Sequence, residues 1–471
     1  MNKFKRHWDN LRASFWFLPA LIVVFSALLA LGLIETDSSA GQDWMDDWPR
    51  LFGASAAGAR GMLATIAASM TTVVGVTFSM TLVALTLASS QYTSRVLRNF
   101  MSDRATQVVL GIFAGIFTYC IIVLRTIRGG DEGGFVPSLS VTFSVALAIG
   151  GVGTLIFFVH HIATSIQASS IIASVTKETI EAVDRLFPAN KPGEAPVEDE
   201  AEPSPLPAPT RVWQAIMAKR DGYLQSVDEA GLMRLARRHK TVVRMDRGIG
   251  EFVVQGTPLA SIALEDPPDQ QTIADLRAAY SIDRYRTVYQ DCAFGVRQLV
   301  DMALRALSPG INDTTTAVMC VEHLMAILVR LAPREIPSSR RYEDGELRVI
   351  AEGQTFASLV AGSFDEIRGS SGGNVAISLR MLEALQTIAS LTASPSRRRA
   401  LREQAESVAE SARRTIASPR DIARFEERLA RLREALWEAQ RRGADELRLR
   451  DPNRDRVPDQ PSRSPPPNCD F

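Results

Sequence analysis

No excess of charge of either sign marks this chain. Its 53 Lys and Arg balance 53 Asp and Glu across 471 residues, so it lacks the basic footprint by which nucleic acid is bound. Cysteine is scarce. Cys120, Cys292, Cys320 and Cys469 stand far apart, in no CxxC or Cys/His cluster, which argues against a disulfide framework and a zinc site and for reduced thiols. Catalytic signatures are missing too. There is no G-x-S-x-G, H-E-x-x-H or Walker sequence, and "GIG" at 248–250 lacks the further Gly at Val253 that a dinucleotide fingerprint needs. No catalytic residue, cofactor or metal ligand is therefore assigned. The last absence is the most informative: four long runs carry no acidic residue or Lys at mid-depth.

Those runs are Phe15–Ile34, Gly61–Ser90, Ala105–Leu124 and Pro137–Val159, each near or above the roughly 20 apolar residues that cross a hydrocarbon core as helix. The first is too long for a signal-peptide core and reads as an anchor. Lys3, Lys5, Arg6 and Arg12 precede it, and Arg95, Arg98 and Arg104 follow the second run. The loop between the first two is acidic, with Trp44 and Trp48 as interface residues. The positive-inside rule then predicts four spans with both termini in the cytoplasm. His160 and His161, at the inner end of the fourth, read as interfacial rather than metal-binding.

The second run is unusual in its hydroxyls. Thr65, Ser69, Thr72, Val76, Ser79, Val83, Thr86 and Ser90 step by fours and threes and share one helical face, while Thr71, Thr77 and Thr81 lie off it. Two readings stay open. The stripe packs against other helices, with Gly111-xxx-Gly115 and Ala146-xxx-Gly150 as matching faces, or it lines a wet path for ions or water. The lack of mid-depth acids and lysines argues against a proton-coupled transporter, and neither broken half-helices nor inverted repeats are evident.

Beyond the spans, residues 161–187 read as a helical stalk and 188–210, dense in Pro and acid, as a disordered linker. Residues 211–265 alternate short strands with Gly, around one helix capped by Asp228, and predict a small β-barrel or sandwich. Within them "GEFVVQGTPLASI" resembles biotinyl or lipoyl barrel-sandwich domains, without a Lys at a hairpin tip to carry a cofactor. Residues 266–445 read as mainly helical. Two amphipathic helices there flank "SPGIND", with Pro309 and Gly310 as the stop and Asn312 or Asp313 as the cap. Asp291, Arg297, Asp301, Asn312 and Asp313, with Arg305, Glu322 and His323 nearby, form a possible site for a small charged ligand or else a capped hairpin with a solvated face. The helix from Ser418 is rich in i,i+4 charge pairs, and 446–471 read as a disordered tail.

Several stretches together, "SFWFLPALIVVFSALLALGLIE", "ATIAASMTTVVGVTFSMTLVALTLASSQYTSRVLRNF", "VHHIATSIQASSI" and "RTVYQDCAFGVRQLVDMALRALSPGINDTTTA", resemble a bacterial family of predicted membrane proteins, domain of unknown function 2254. Thr314 stands where that family writes Pro after "SPGIND". The resemblance implies an inner-membrane location; what the chain does has to be argued from its residues.

The expected fold is an α-helical integral membrane protein, with four transmembrane helices (15–160) after a cytoplasmic N-terminus (1–14), followed by an α+β cytoplasmic region. The expected partners are the lipid bilayer, further copies in a homo-oligomer, and ions or a small ligand, not nucleic acid. Two functions fit: an oligomeric channel-like or gated pore, or a membrane-anchored signalling or scaffold protein.

Overall fold

A computed structural model describes residues 16–39, 55–91, 103–128, 135–189, 212–392 and 394–450, excepting the side chains of 88–91 and 437–450. The N-terminal basic residues, the acidic first loop with its Trp pair, Arg95, Arg98, the Pro-rich linker from 190 and the tail from 451 lie outside them. The chain forms two compact units, Met1–Ser174 and Val175–Phe471.

The first unit contains α1 (Phe17–Ser39), α2 (Ala56–Gln91), α3 (Arg104–Thr126) and α4 (Ser138–Ser165). Helix α3 is its centre, packing against α1, α2 and α4 around Phe113, Ile116, Tyr119 and Val123. Gly111 and Gly115 bring α1 close. A Cβ on Gly111 would sit 3.1 Å from the Pro19 Cα, and one on Gly115 would run into the Ser26 hydroxyl.

Polar ties join the helix ends. Pro137 precedes α4 and offers no side-chain cap. The cap comes from α1: buried Asp37 accepts hydrogen bonds from Leu139 N at 3.0 Å, Ser140 N at 2.9 Å and Ser140 Oγ at 2.6 Å. From α3, the Tyr119 hydroxyl donates to the Ser140 carbonyl at 2.9 Å. Arg60 of α2 donates to the Ile127 carbonyl at the end of α3, at 2.8 Å. The Asp37 and Arg60 ties satisfy backbone groups that a helix end leaves open.

The chain passes into the second unit within α5 (Ala168–Leu186). There follow β1 (Val212–Met217), β2 (Gly222–Val227), α6 (Glu229–Arg238), β3 (Val243–Met245), β4 (Phe252–Val253), β5 (Pro258–Leu264), α7 (Gln270–Ala278) and β6 (Tyr280–Asp283). Next come α8 (Cys292–Ala306), α9 (Thr314–Leu331), β7 (Arg340–Glu343), β8 (Glu346–Ile350), α10 (Phe356–Ser370), α11 (Val375–Ala389), α12 (Pro395–Thr415) and α13 (Pro419–Arg450). Asp228 caps α6, accepting from Gly231 N.

The strands make a five-stranded sheet, β1-β5-β3-β8-β7, and a three-stranded one, β4-β2-β6. Leu224, Val253 and Ile282 of one share a core with Val243, Ile262 and Val349 of the other, a sandwich. Strands β6 to β8 carry the sheets into the stretch expected to be mainly helical. The turn between β7 and β8 is Asp344-Gly345, both at positive φ (54° and 77°), which is a strong hairpin signal. Helix α13 likewise runs to Arg450, past the expected start of the tail.

The remaining helices form a layered array: α8 on α9 and α10, α9 on α11, α11 on α12 and α13. The second half of α5 belongs to it. A Cβ on Gly295 of α8 would overlap the Thr179 hydroxyl, and Asp184 pairs with Arg330 at 2.7 Å and Arg334 at 2.6 Å. Five described helices, α1 to α4 and α9, are long and apolar enough to cross a membrane, one more than the sequence runs predict.

The Asp37 cap is open to test. Asp37→Ala should lower the stability of the detergent-solubilised protein by about 1–2 kcal/mol, because two amides and a hydroxyl lose their acceptor. Asp37→Asn, which keeps an acceptor oxygen, should lose less than half of that in the same thermal melts.

Candidate functional site

Helix α2 has 36 residues and is roughly 54 Å long, well beyond the hydrocarbon thickness of about 30 Å. Its inner face is Ala59, Leu63, Ala67, Met70, Thr77 and Ala84, all buried. Thr65, Ser69, Thr72, Ser79 and Thr86 are exposed on other sides, and the Ser90 side chain lies outside those described. Four of these hydroxyls bond their own helix: Thr65 donates to Gly61 O at 2.8 Å, Ser69 to Thr65 O at 2.8 Å, Thr72 to Ala68 O at 3.2 Å and Thr86 to Leu82 O at 2.8 Å. Each hydrogen is directed at a backbone carbonyl, so the oxygen presents lone pairs outward.

The small-residue faces suited to this stripe are not set against it among the described residues. Gly111 and Gly115 receive α1, because Pro19, Ile22 and Ser26 fill the space beside them, and Gly150 has nothing within 4 Å of a Cβ position. Among the described residues no helix covers the stripe. Apart from Met62, no exposed side chain between Gly61 and Gly75 is larger than Thr. Helices α1 and α4 expose Val24, Phe25, Leu28, Ile149, Val152 and Ile156, and the second half of α2 exposes Val76, Phe78, Leu82 and Val83.

At the other end of the bundle from Asp37, Asp103 caps α3, accepting from Ala105 N at 3.1 Å and Thr106 Oγ1 at 2.7 Å. The same carboxylate lies 2.7 Å from His161 Nε2 of α4. Burial pushes the Asp103 carboxyl up, but its bonds to Thr106 and His161 outweigh burial and hold it below the ordinary value. Sequence reading places His161 at an interface and misses this partner; an Asp ahead of a helix is legible as a cap, but not as a second helix's ligand.

In the second unit the five possible ligand-binding residues separate into three places. Asp291, buried at the start of α8, accepts from Phe294 N at 3.1 Å and pairs with Arg286 at 2.7 Å. Burial pushes its carboxyl up, with Arg286 opposing. Gly250, at φ +90°, leaves room for this pair, since a Cβ there would overlap both side chains. In mid-helix Arg297 pairs with Asp301 at 2.7 Å and with Glu366 of α10. Past the far end of α8, roughly 22 Å away, Asn312 is exposed at φ +49° and Asp313 caps α9, accepting from Thr316 N at 3.0 Å and Thr316 Oγ1 at 2.6 Å. Of the neighbouring polar residues, Glu322 pairs with Arg380 at 3.3 Å and His323 Nδ1 lies 2.8 Å from the Thr176 hydroxyl. Helix α8 ends at Ala306, before Pro309. Among the described residues, these five do not come together at one place. Cys120, Cys292 and Cys320 are buried free thiols, and burial pushes those of Cys292 and Cys320 up to about 12, which keeps them protonated; Cys469 lies outside the described residues.

A set of long apolar helices followed by a mixed helix and strand region defines a membrane protein. The chain belongs to the family described as predicted membrane protein (DUF2254), which matches residues 12–387. An uncharacterized protein of Mycobacterium bovis and one of Mycobacterium tuberculosis strain H37Rv are each similar to it, 34% identical over 432 residues, covering 90% of this chain and 81% of theirs. No solved structure matches it.

Asp313 distinguishes a cap from a ligand site. As a cap, Asp313→Asn should be nearly silent and Asp313→Ala should cost about 1 kcal/mol in chemical denaturation. The bonds from Thr316 hold this carboxyl below its ordinary 3.8, so its contribution is full above that value and fades as pH falls through the lower folded value. The Asn variant should show no such acid-dependent loss.

Proposed function

We propose that the chain is a four-span protein of the bacterial inner membrane, with both termini cytoplasmic, that assembles as a homo-oligomer around a channel-like path lined by the exposed hydroxyl face of α2. In this reading α9 stays out of the bilayer, since it carries Glu322, His323 and Arg330 and packs among α8, α10 and α11. The second unit then lies on the cytoplasmic side and regulates the path.

One observation carries the proposal. The side of α2 that faces away from its own bundle is small and hydroxylated from Gly61 to Gly75, while the outer faces of α1 and α4 are large and apolar. Large apolar side chains suit lipid tails; small ones allow close approach of another helix or leave room for water. Outward hydroxyl oxygens, with their hydrogens already donated, are weak ligands for cations and water. Four spans in one copy are few for a pore, so the path needs several copies.

The alternative, a membrane-anchored signalling or scaffold protein, draws its support from the size of the second unit, well over half of the chain. Flux measurements on proteoliposomes separate the two. Thr72→Val with Ser79→Val should leave the oligomer intact and shift its stability by under about 1 kcal/mol, since the Thr72 hydroxyl bonds its own helix. Flux should fall by more than half, because the constriction loses its polar lining. A wild-type protein that passes no ions under voltage, stretch or osmotic challenge decides for the anchor.

A further inference from the structure

The outer side of the three-stranded sheet, continued by the segment between β6 and α8, is aromatic and basic. Phe252, Tyr285 and Tyr289 are about half exposed, at 52%, 52% and 54%. Each is held by a contact. Tyr223 meets the Phe252 ring edge-on at 5.1 Å, the Gln225 amide donates to the Tyr285 carbonyl at 2.6 Å, and the Arg185 guanidinium lies 4.5 Å from the Tyr289 ring centre while donating to the Tyr289 carbonyl at 2.8 Å.

The charges on this surface are poorly neutralised. Arg185, Arg220 and Arg284 make no ion pair with a carboxylate among the described residues. Arg185 and Arg220 donate to the Tyr289 and Ile282 carbonyls, and Arg284 lies 5.4 Å from the Tyr285 ring centre. Exposed Lys219 adds a fourth cation. Of the acids alongside, Asp221 accepts from Gln255 N at 2.7 Å, Asp283 accepts from Arg284 N at 2.7 Å, and Glu251 is paired with Arg247 at 3.6 Å. Other arginines of this unit do pair with carboxylates, as in Arg413–Glu426 and Arg433–Glu406.

We propose that this face docks on an anionic bilayer surface. Exposed tyrosines beside unpaired arginines match the headgroup layer, where amphipathic rings settle and arginine finds lipid phosphates. The same chain carries helices long and apolar enough to cross a membrane, so it is tethered to such a surface. Electrostatic attraction of this kind acts within a Debye length, about 8 Å at physiological salt, so it needs close approach and weakens as salt rises. The docking is independent of whether α2 lines a path.

Hydrogen exchange of the full-length protein in vesicles tests it, comparing phosphatidylcholine alone with a mixture containing phosphatidylglycerol. Peptides covering 219–225, 251–256 and 283–290 should exchange severalfold more slowly in the anionic vesicles, and high salt should remove the difference. Replacing Arg185, Arg220 and Arg284 together by Gln should abolish it, and replacing them by Lys should keep it. Arg284→Gln alone breaks no hydrogen bond of its side chain and should weaken the effect without risk to the fold. Equal exchange in both vesicle types overturns the proposal, as does a difference that survives the triple Gln change. Protection that follows protein density rather than lipid charge assigns the face to a second copy and also overturns it.

Discussion

A carboxylate from one helix closes the open end of another, and the bundle of the first unit depends on it. In hydrocarbon no water is available for a free amide, so a helix that begins near the membrane must find an acceptor within the protein. Helix α4 begins after a proline that supplies none, and Asp37 reaches over from the end of α1 to take two amides and a hydroxyl. Tyr119 of α3 adds a bond to the Ser140 carbonyl. Three helices thus meet at Ser140 through polar contacts. Asp103 and His161 tie α3 to α4 at the opposite end. Between the ends there is close packing without charge, which is why Gly111 and Gly115 sit where α1 crosses.

The second unit handles buried charge by other means. Its arginines close helix ends: Arg397, 1% exposed, donates to the Ala332 carbonyl after α9 at 2.9 Å, and Arg334 donates to the Phe187 carbonyl after α5 at 2.5 Å. Each places a cation where a helix leaves carbonyls unpaired and its dipole is negative. Such groups are costly to bury and costlier to strand, so this unit tolerates little rearrangement around α5, α9 and α12. The connecting helix is therefore anchored at its second half by geometry as well as charge. Gly295 admits Thr179 against α8, and Asp184 holds two arginines.

What the sequence made legible follows from locality. The helices were readable from apolar runs and the caps of α6 and α9 from Asp228 and Asp313, because a cap acts within three residues of itself. The alternation of short strands and glycines over 211–265 pointed to a small β-barrel or sandwich; five strands form there, in two sheets that share a core and take β6, β7 and β8 from beyond that stretch. Long-range pairing was not legible. Asp37 looks like one more acid after an apolar run, and its partners lie 102 and 103 residues away. Helix α9 matches a span in length and hydropathy, because a helix packed on several sides by protein needs the same residues as one in lipid, and composition does not tell the two apart. The proposed ligand residues failed to converge for a related reason. Asp291, Arg297 and Asp313 are close in sequence, but a helix of 15 residues carries its ends far apart.

The hydroxyl stripe shows how far periodicity reaches. A spacing of three and four puts residues on one face; it does not say what that face meets. Packing within the chain was the simpler expectation, yet the neighbours suited to it are used by α1 or stand open. The hydrogen bonds then decide the chemistry left on the surface. A hydroxyl that gives its proton to the carbonyl one turn back has no donor to offer, so it cannot bind an anion, but it still accepts from water or coordinates a cation. On the proposed channel-like reading, such a wall has partial negative charge without any carboxylate. It would admit hydrated cations and discriminate weakly among them, since uncharged oxygens on a helix surface do not enclose an ion as a ring of backbone carbonyls does.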